Sequence, residues 1–124
     1  MIKCKIPMKF PSLNEFISKS KIQRGSWNAG NKMKQDFQQQ LYYYLCKLPA
    51  FKKPIKIHFI WLEVNKRRDL DNISAVGRKF ILDTMQLCKK IKNDNLNYVV
   101  GLSDAYMISQ DYGVIMEIEE ITDE

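Results

Sequence analysis

Ile55-Lys-Ile-His-Phe-Ile-Trp-Leu-Glu-Val64 is followed, two residues on, by Lys66-Arg-Arg-Asp-Leu-Asp-Asn72. Ile55, Ile57, Phe59 and Trp61 share one face of an extended chain, while Ile60, Leu62 and Val64 make the other face apolar too. A short run apolar on both faces predicts a central strand. Beyond it, Ile73, Val76, Phe80, Thr84 and Leu87 recur at helical spacing, with Asp71 or Asn72 able to cap the start. A buried strand therefore gives way to an amphipathic helix within a few polar residues.

Upstream, Ile2, Cys4 and Ile6 alternate with Lys3 and Lys5, a half-exposed strand closed by Pro7. Residues 10–17 then lead into a basic, turn-rich stretch over 19–31. Asn31 is placed to cap a helix reaching about residue 47, with Met33, Phe37, Leu41 and Leu45 at helical spacing and Leu48-Pro-Ala-Phe-Lys-Lys-Pro54 ending it. Downstream of the second helix come a polar loop over 89–97 and two strands, the first at residues 98–100 and the second at 113–121. The order β-α-β-α-β-β predicts a single α+β domain over residues 1–124, a small mixed sheet with two helices packed on one face.

No apolar run is long enough to span a bilayer, and the N-terminus lacks a secretory pattern, so a cytoplasmic protein with no membrane partner is expected. Cys4, Cys46 and Cys88 are odd in number and widely spaced, which suits reduced packing residues better than a disulfide framework or a zinc knuckle. His58, the only histidine, has no second His and no neighbouring Cys to form a ligand set. The charge is uneven. Residues 1–68 hold 15 Lys/Arg against 3 Asp/Glu, whereas residues 69–124 hold 5 against 11. A basic half invites phosphate contacts and an acidic half invites metal ions.

Asp69 and Asp71 lie two residues apart where the strand ends. On an extended backbone they would project to one side, and two adjacent like charges call for a compensating cation. Mg²⁺ takes oxygen ligands and is commonly held by one or two carboxylates plus substrate phosphate. Asp-x-Asp-Asn is also turn and N-cap chemistry, and Lys66, Arg67 and Arg68 can either draw phosphates to the carboxylates or pair with them.

Arg68-Asp-Leu-Asp-Asn72, then Lys79-Phe-Ile-Leu-Asp83-Thr-Met, then Ile91-Lys-Asn-Asp94 resemble the RusA family of Holliday-junction resolvases. Pro11-Ser-Leu-Asn14 also resembles that family's N-terminal Pro-x-x-Asn element, so the similarity covers most of the chain. The resemblance implies a Mg²⁺-dependent homodimer, with Mn²⁺ as a substitute ion, that binds four-way DNA junctions and nicks two opposed strands. It implies Asp69, Asp71 and Asp94 as catalytic metal ligands and Lys79 as the assisting cation. Asn72 would support the site from behind, Asp83 would do the same or serve the helix surface, and Asn93 stands where some relatives carry a further aspartate.

One departure concerns register. The interval from Asp71 to Lys79 is about one helical turn longer than in the family pattern, as though residues 73–77 were inserted. On a straight helix Arg78 would share the face of Asp71 and Lys79 would be rotated by roughly 80° from it. A loop or distorted turn over 73–77 would instead return Lys79 to the metal site. We expect the second arrangement, because the match through Phe80 to Asp83 is continuous and Gly77 gives the backbone freedom to deviate. Lys19, Lys21, Arg24, Lys32 and Lys34, with Lys66, Arg67, Arg68 and Arg78, would track the DNA backbone. The competing functions are a branched-DNA nuclease acting on flaps or forks, and a structure-selective DNA-binding protein without cleavage.

Overall fold

The structure, a computed structural model, describes residues 1–122. Its elements are β1 (Ile2–Ile6), α1 (Leu13–Ser20), β2 (Gln23–Arg24), β3 (Trp27–Asn28), α2 (Ala29–Leu45), β4 (Ile55–Glu63), α3 (Leu70–Leu87), β5 (Val99–Ile108) and β6 (Gly113–Glu120). Four strands form one mixed sheet in the order β1-β6-β4-β5, in which β4 and β5 are parallel and the other pairs antiparallel. The α+β domain and the central position of β4 agree with the sequence. No helix among the described residues is long and apolar enough to cross a membrane.

The sheet is covered on one face. Ile57, Phe59 and Trp61 of β4 lie on that face with Met116, Ile118 and Val114 of β6, all buried, whereas Lys56, Lys3 and Lys5 project to the opposite side. α2 and α3 supply the cover, as expected, and a third helix, α1, packs against both of them. The extra one, α1, begins at Ser12, whose hydroxyl accepts from the Glu15 amide at 3.1 Å while the Glu15 carboxylate accepts from the Ser12 amide at 3.3 Å. This Ser-x-x-Glu capping box was present in the sequence and is the signal that marks the missed helix.

The basic stretch after α1 is a small hairpin, β2–β3, turning at Gly25 with a φ of 60°. The next helix starts two residues before the expected cap, because Asn28, not Asn31, accepts from a helical amide: its side-chain oxygen takes the Asn31 N–H at 3.1 Å. β5 is much longer than the three residues anticipated, since its exposed, mixed sequence hides a ten-residue strand at the sheet edge. Leu87, expected on the core face of α3, is 61% exposed at the last turn of that helix.

The core is aromatic where α2 and α3 meet the sheet. Trp61 stacks on Phe59 and takes the edge of Phe10, and Phe37 bridges Phe10 to Phe80. Gly77 lies where α3 crosses Trp61; a Cβ there would sit 2.6 Å from the indole. The glycine is therefore required by close packing within an unbroken helix rather than by a turn.

Candidate functional site

α3 runs without interruption from Leu70 to Leu87, so residues 73–77 are helical and the expected loop or distorted turn is absent. The straight helix, not the distorted turn, is the arrangement present at residues 73–77. Arg78, seven residues from Asp71, shares its side of α3, and Lys79 is turned away. The ammonium of Lys79 stands 3.8 Å from Asp83, which also pairs with Lys34 on α2. Asp83 thus clasps two helices about 18 Å along α3 from Asp71, too far to support a site there.

Asp69 and Asp71 do not emerge from a strand as a matched pair. Asp69 is the N-cap of α3, with extended backbone, and Asp71 lies in the first helical turn. The capping role open to such residues is not taken up: the Asp69 side chain makes no cap hydrogen bond. Neither carboxylate has a salt-bridge partner among the described residues, although both are exposed. The partial positive charge of a helix N-terminus favours negative groups at these positions.

The reason the neighbouring arginine leaves them alone is Glu63. This residue ends β4 at 6% exposure, and Arg68 grips it through Nε at 2.9 Å and Nη2 at 2.8 Å while Nη1 donates to the Phe10 carbonyl at 2.8 Å. The hydrogen bond to Glu63 raises the Arg68 pKa above its ordinary value, against an opposing push from burial. Arg68 is therefore a clamp that fixes the turn into α3, not the DNA contact expected of it. Lys66 and Arg67 remain exposed beside the carboxylates.

Two further contacts set the rotation of α3. Tyr106 donates to the Ser74 hydroxyl at 3.1 Å, and Asp104 accepts from Trp61 Nε1 at 2.9 Å while pairing with Arg78 at 3.3 Å. Both hold α3 against β5. Glu63, Asp104 and Tyr106 were not singled out in the sequence; a charge in the middle of an otherwise neutral strand was the available sign for Asp104. Asn72 is half-buried in the first turn of α3.

Asp94 lies elsewhere. The loop after α3 returns to the start of β4, where the Phe51 amide donates to Lys90 O at 3.0 Å and the Ile55 amide to Tyr98 O at 2.9 Å. Asp69 sits beyond the other end of β4, and the 18 residues of α3 separate the two ends by about 27 Å. One chain does not assemble Asp69, Asp71 and Asp94, and no group of three or more His, Cys, Asp or Glu among the described residues is placed to hold a metal ion.

Of the other basic residues, Lys32 pairs with Asp36 and Lys34 with Asp83, so both are engaged. Lys19 and Lys21 are exposed at the end of α1, and Arg24 is exposed on the hairpin. His58 binds Ser103 at 2.6 Å on the helix-free side of the sheet. All three cysteines are free, but Cys46 is exposed rather than packed. No protein-family model matches the chain, and no curated protein matches it.

Proposed function

We propose that this protein is a Mg²⁺-dependent endonuclease of branched DNA, acting on four-way junctions as a homodimer. The observation that carries the reading is the pair of exposed carboxylates on Asp69 and Asp71, which have no salt-bridge partner among the described residues while Arg68 is committed to Glu63. Their hard oxygen donors fit an ion that takes the rest of its coordination from water and phosphate. Bound there, Mg²⁺ (or Mn²⁺) would supply Lewis-acid charge at the scissile phosphate and acidify a water. Asp69 and Asp71 hold that position, fixed by the Glu63–Arg68 clamp. Arg78, oriented by Asp104, offers positive charge on the same side of α3 for a phosphate that gains charge in the transition state. Lys66 and Arg67 bring phosphates to the same end of the sheet.

Asp94 can join this pair only from a second chain. The two sheet edges support such pairing by their contrast. β1 is five residues long and carries Lys3 and Lys5, a usual guard against strand addition. β5 is ten residues long with no Lys and no Pro, its single charge is drawn onto Arg78, and Val100, Leu102, Met107 and Ile108 are exposed along it. Antiparallel pairing of two β5 edges sets the start of one beside the end of the other, and hence the Asp94 loop of each chain toward the Asp69 end of its neighbour.

The test is a cleavage panel of junction, fork, flap and linear duplex with Mg²⁺, using the intact protein and Asp71→Asn. Preferential junction cleavage lost in the mutant is expected. Equal cleavage by Asp71→Asn would remove this site, and a preference for flaps or forks would reassign the substrate.

A further inference from the structure

The loop between α3 and β5 faces the segment that leads into β4, and between them opens a cleft of about 410 Å³. Lys52 and Lys53 line it from the segment before β4 and Lys89, Lys90 and Lys92 from the loop after α3, together with Phe51 and Tyr98. None of the five lysines is paired with a described carboxylate. Asp94 is the only acidic residue on either segment.

The backbone at Lys89 adds a second observation. After Cys88, the C-cap of α3, Lys89 takes a φ of 61°, while its amide donates to Gln86 O at 3.0 Å and the Lys90 amide to Met85 O at 2.9 Å. This is the helix-terminating bond pattern whose left-handed position usually holds glycine, and a side chain there costs about 1 kcal/mol. The chain keeps a lysine at a position that geometry alone would give to glycine. What the lysine adds is charge at the lip of the cleft.

We propose that this cleft binds the sugar–phosphate backbone of DNA, as a contact region at the opposite end of β4 from the same chain's Asp69 and Asp71. Five point charges spread over two segments suit a run of phosphates, whose binding is governed by counterion release. A single convergent anion nest would instead gather backbone amides around one phosphate. The inference rests on DNA being the substrate, but it does not depend on cleavage.

Its test measures binding in EDTA, by fluorescence anisotropy of a labelled four-way junction over a range of salt concentrations. The variants are Lys89→Gly alone and the triple Lys52→Gln, Lys89→Gly, Lys92→Gln. Lys89→Gly relieves the left-handed strain, so it should raise the melting temperature while weakening DNA binding, two signs that a purely structural role for Lys89 would not combine. The triple variant should reduce the slope of log affinity against log salt by roughly 3, at about 0.9 per lost phosphate contact. Unchanged affinity and slope in variants that melt no lower than the parent would overturn the proposal. Inorganic phosphate at matched ionic strength should displace DNA no better than chloride does; selective displacement from the parent but not from the triple variant would mark a free-phosphate site and also overturn it. Intact lysine-dependent binding without any cleavage would sink the nuclease reading alone.

Discussion

Asp71→Asn and Asp94→Asn should each abolish cleavage alone, yet mixing the two inactive proteins should restore it. The basis is the separation of about 27 Å along α3, which no rotamer of Asp94 bridges within one chain. If each site takes Asp69 and Asp71 from one protomer and Asp94 from the other, a mixed dimer has one doubly mutated site and one with every carboxylate intact. Random exchange makes half of the dimers mixed, each with one of two sites whole, so about a quarter of the wild-type sites return. Pre-steady-state nicking of a labelled junction, with DNA in excess over sites, reads this as burst amplitude. A mixed dimer has one working centre, so it should give nicked junctions and few paired-nick products. The reasoning fails if the mixture stays inactive after subunit exchange has been demonstrated by mass, or if Asp94→Asn alone cleaves normally.

Arg78→Ala should slow single-turnover cleavage well beyond Lys79→Ala, since Arg78 lies on the Asp71 side of α3 and Lys79 is turned toward Asp83; equal or reversed effects would show that Arg78 is only an anchor to Asp104. Arg68→Ala should destabilise the fold by about 3 kcal/mol, because Glu63 would stay buried without a partner, and chemical denaturation measures it. Gly77→Ala gains about 1 kcal/mol of helix propensity but forces α3 off a buried indole, and we expect a net loss of about 1–2 kcal/mol in the same assay.

Much of the fold was legible because β4 and α3 carry uninterrupted patterns. Ile55, Ile57, Phe59 and Trp61 on one face with Ile60 and Leu62 on the other admit little besides a central strand, and Ile73, Val76, Phe80 and Thr84 are all buried as their spacing predicts. What escaped was short or carried by polar detail. α1 is eight residues long, so Leu13, Phe16 and Ile17 give only about one turn of helical spacing, and the Ser12–Glu15 capping box marks its start. β5 has mixed composition because one of its edges is open, and strands of that kind lack the clean alternation that marks a half-buried pair.

The sequence offers a set of candidate residues but not their arrangement, and α3 shows why. A sequence motif gives intervals along the chain, whereas ligation depends on which groups face one point in space. Treating the extra turn as a loop kept the motif compact and Lys79 near Asp71. The helix instead continues because Gly77 fits against Trp61 and because Ser74 and Arg78 are tied to Tyr106 and Asp104, contacts made by residues 16 or more positions away. The same unbroken helix that turns Lys79 aside also carries the Asp94 loop to the far end of the sheet. If all three aspartates act together, the length of α3 requires a second protomer, and the unguarded edge of β5 is the surface best suited to receive it.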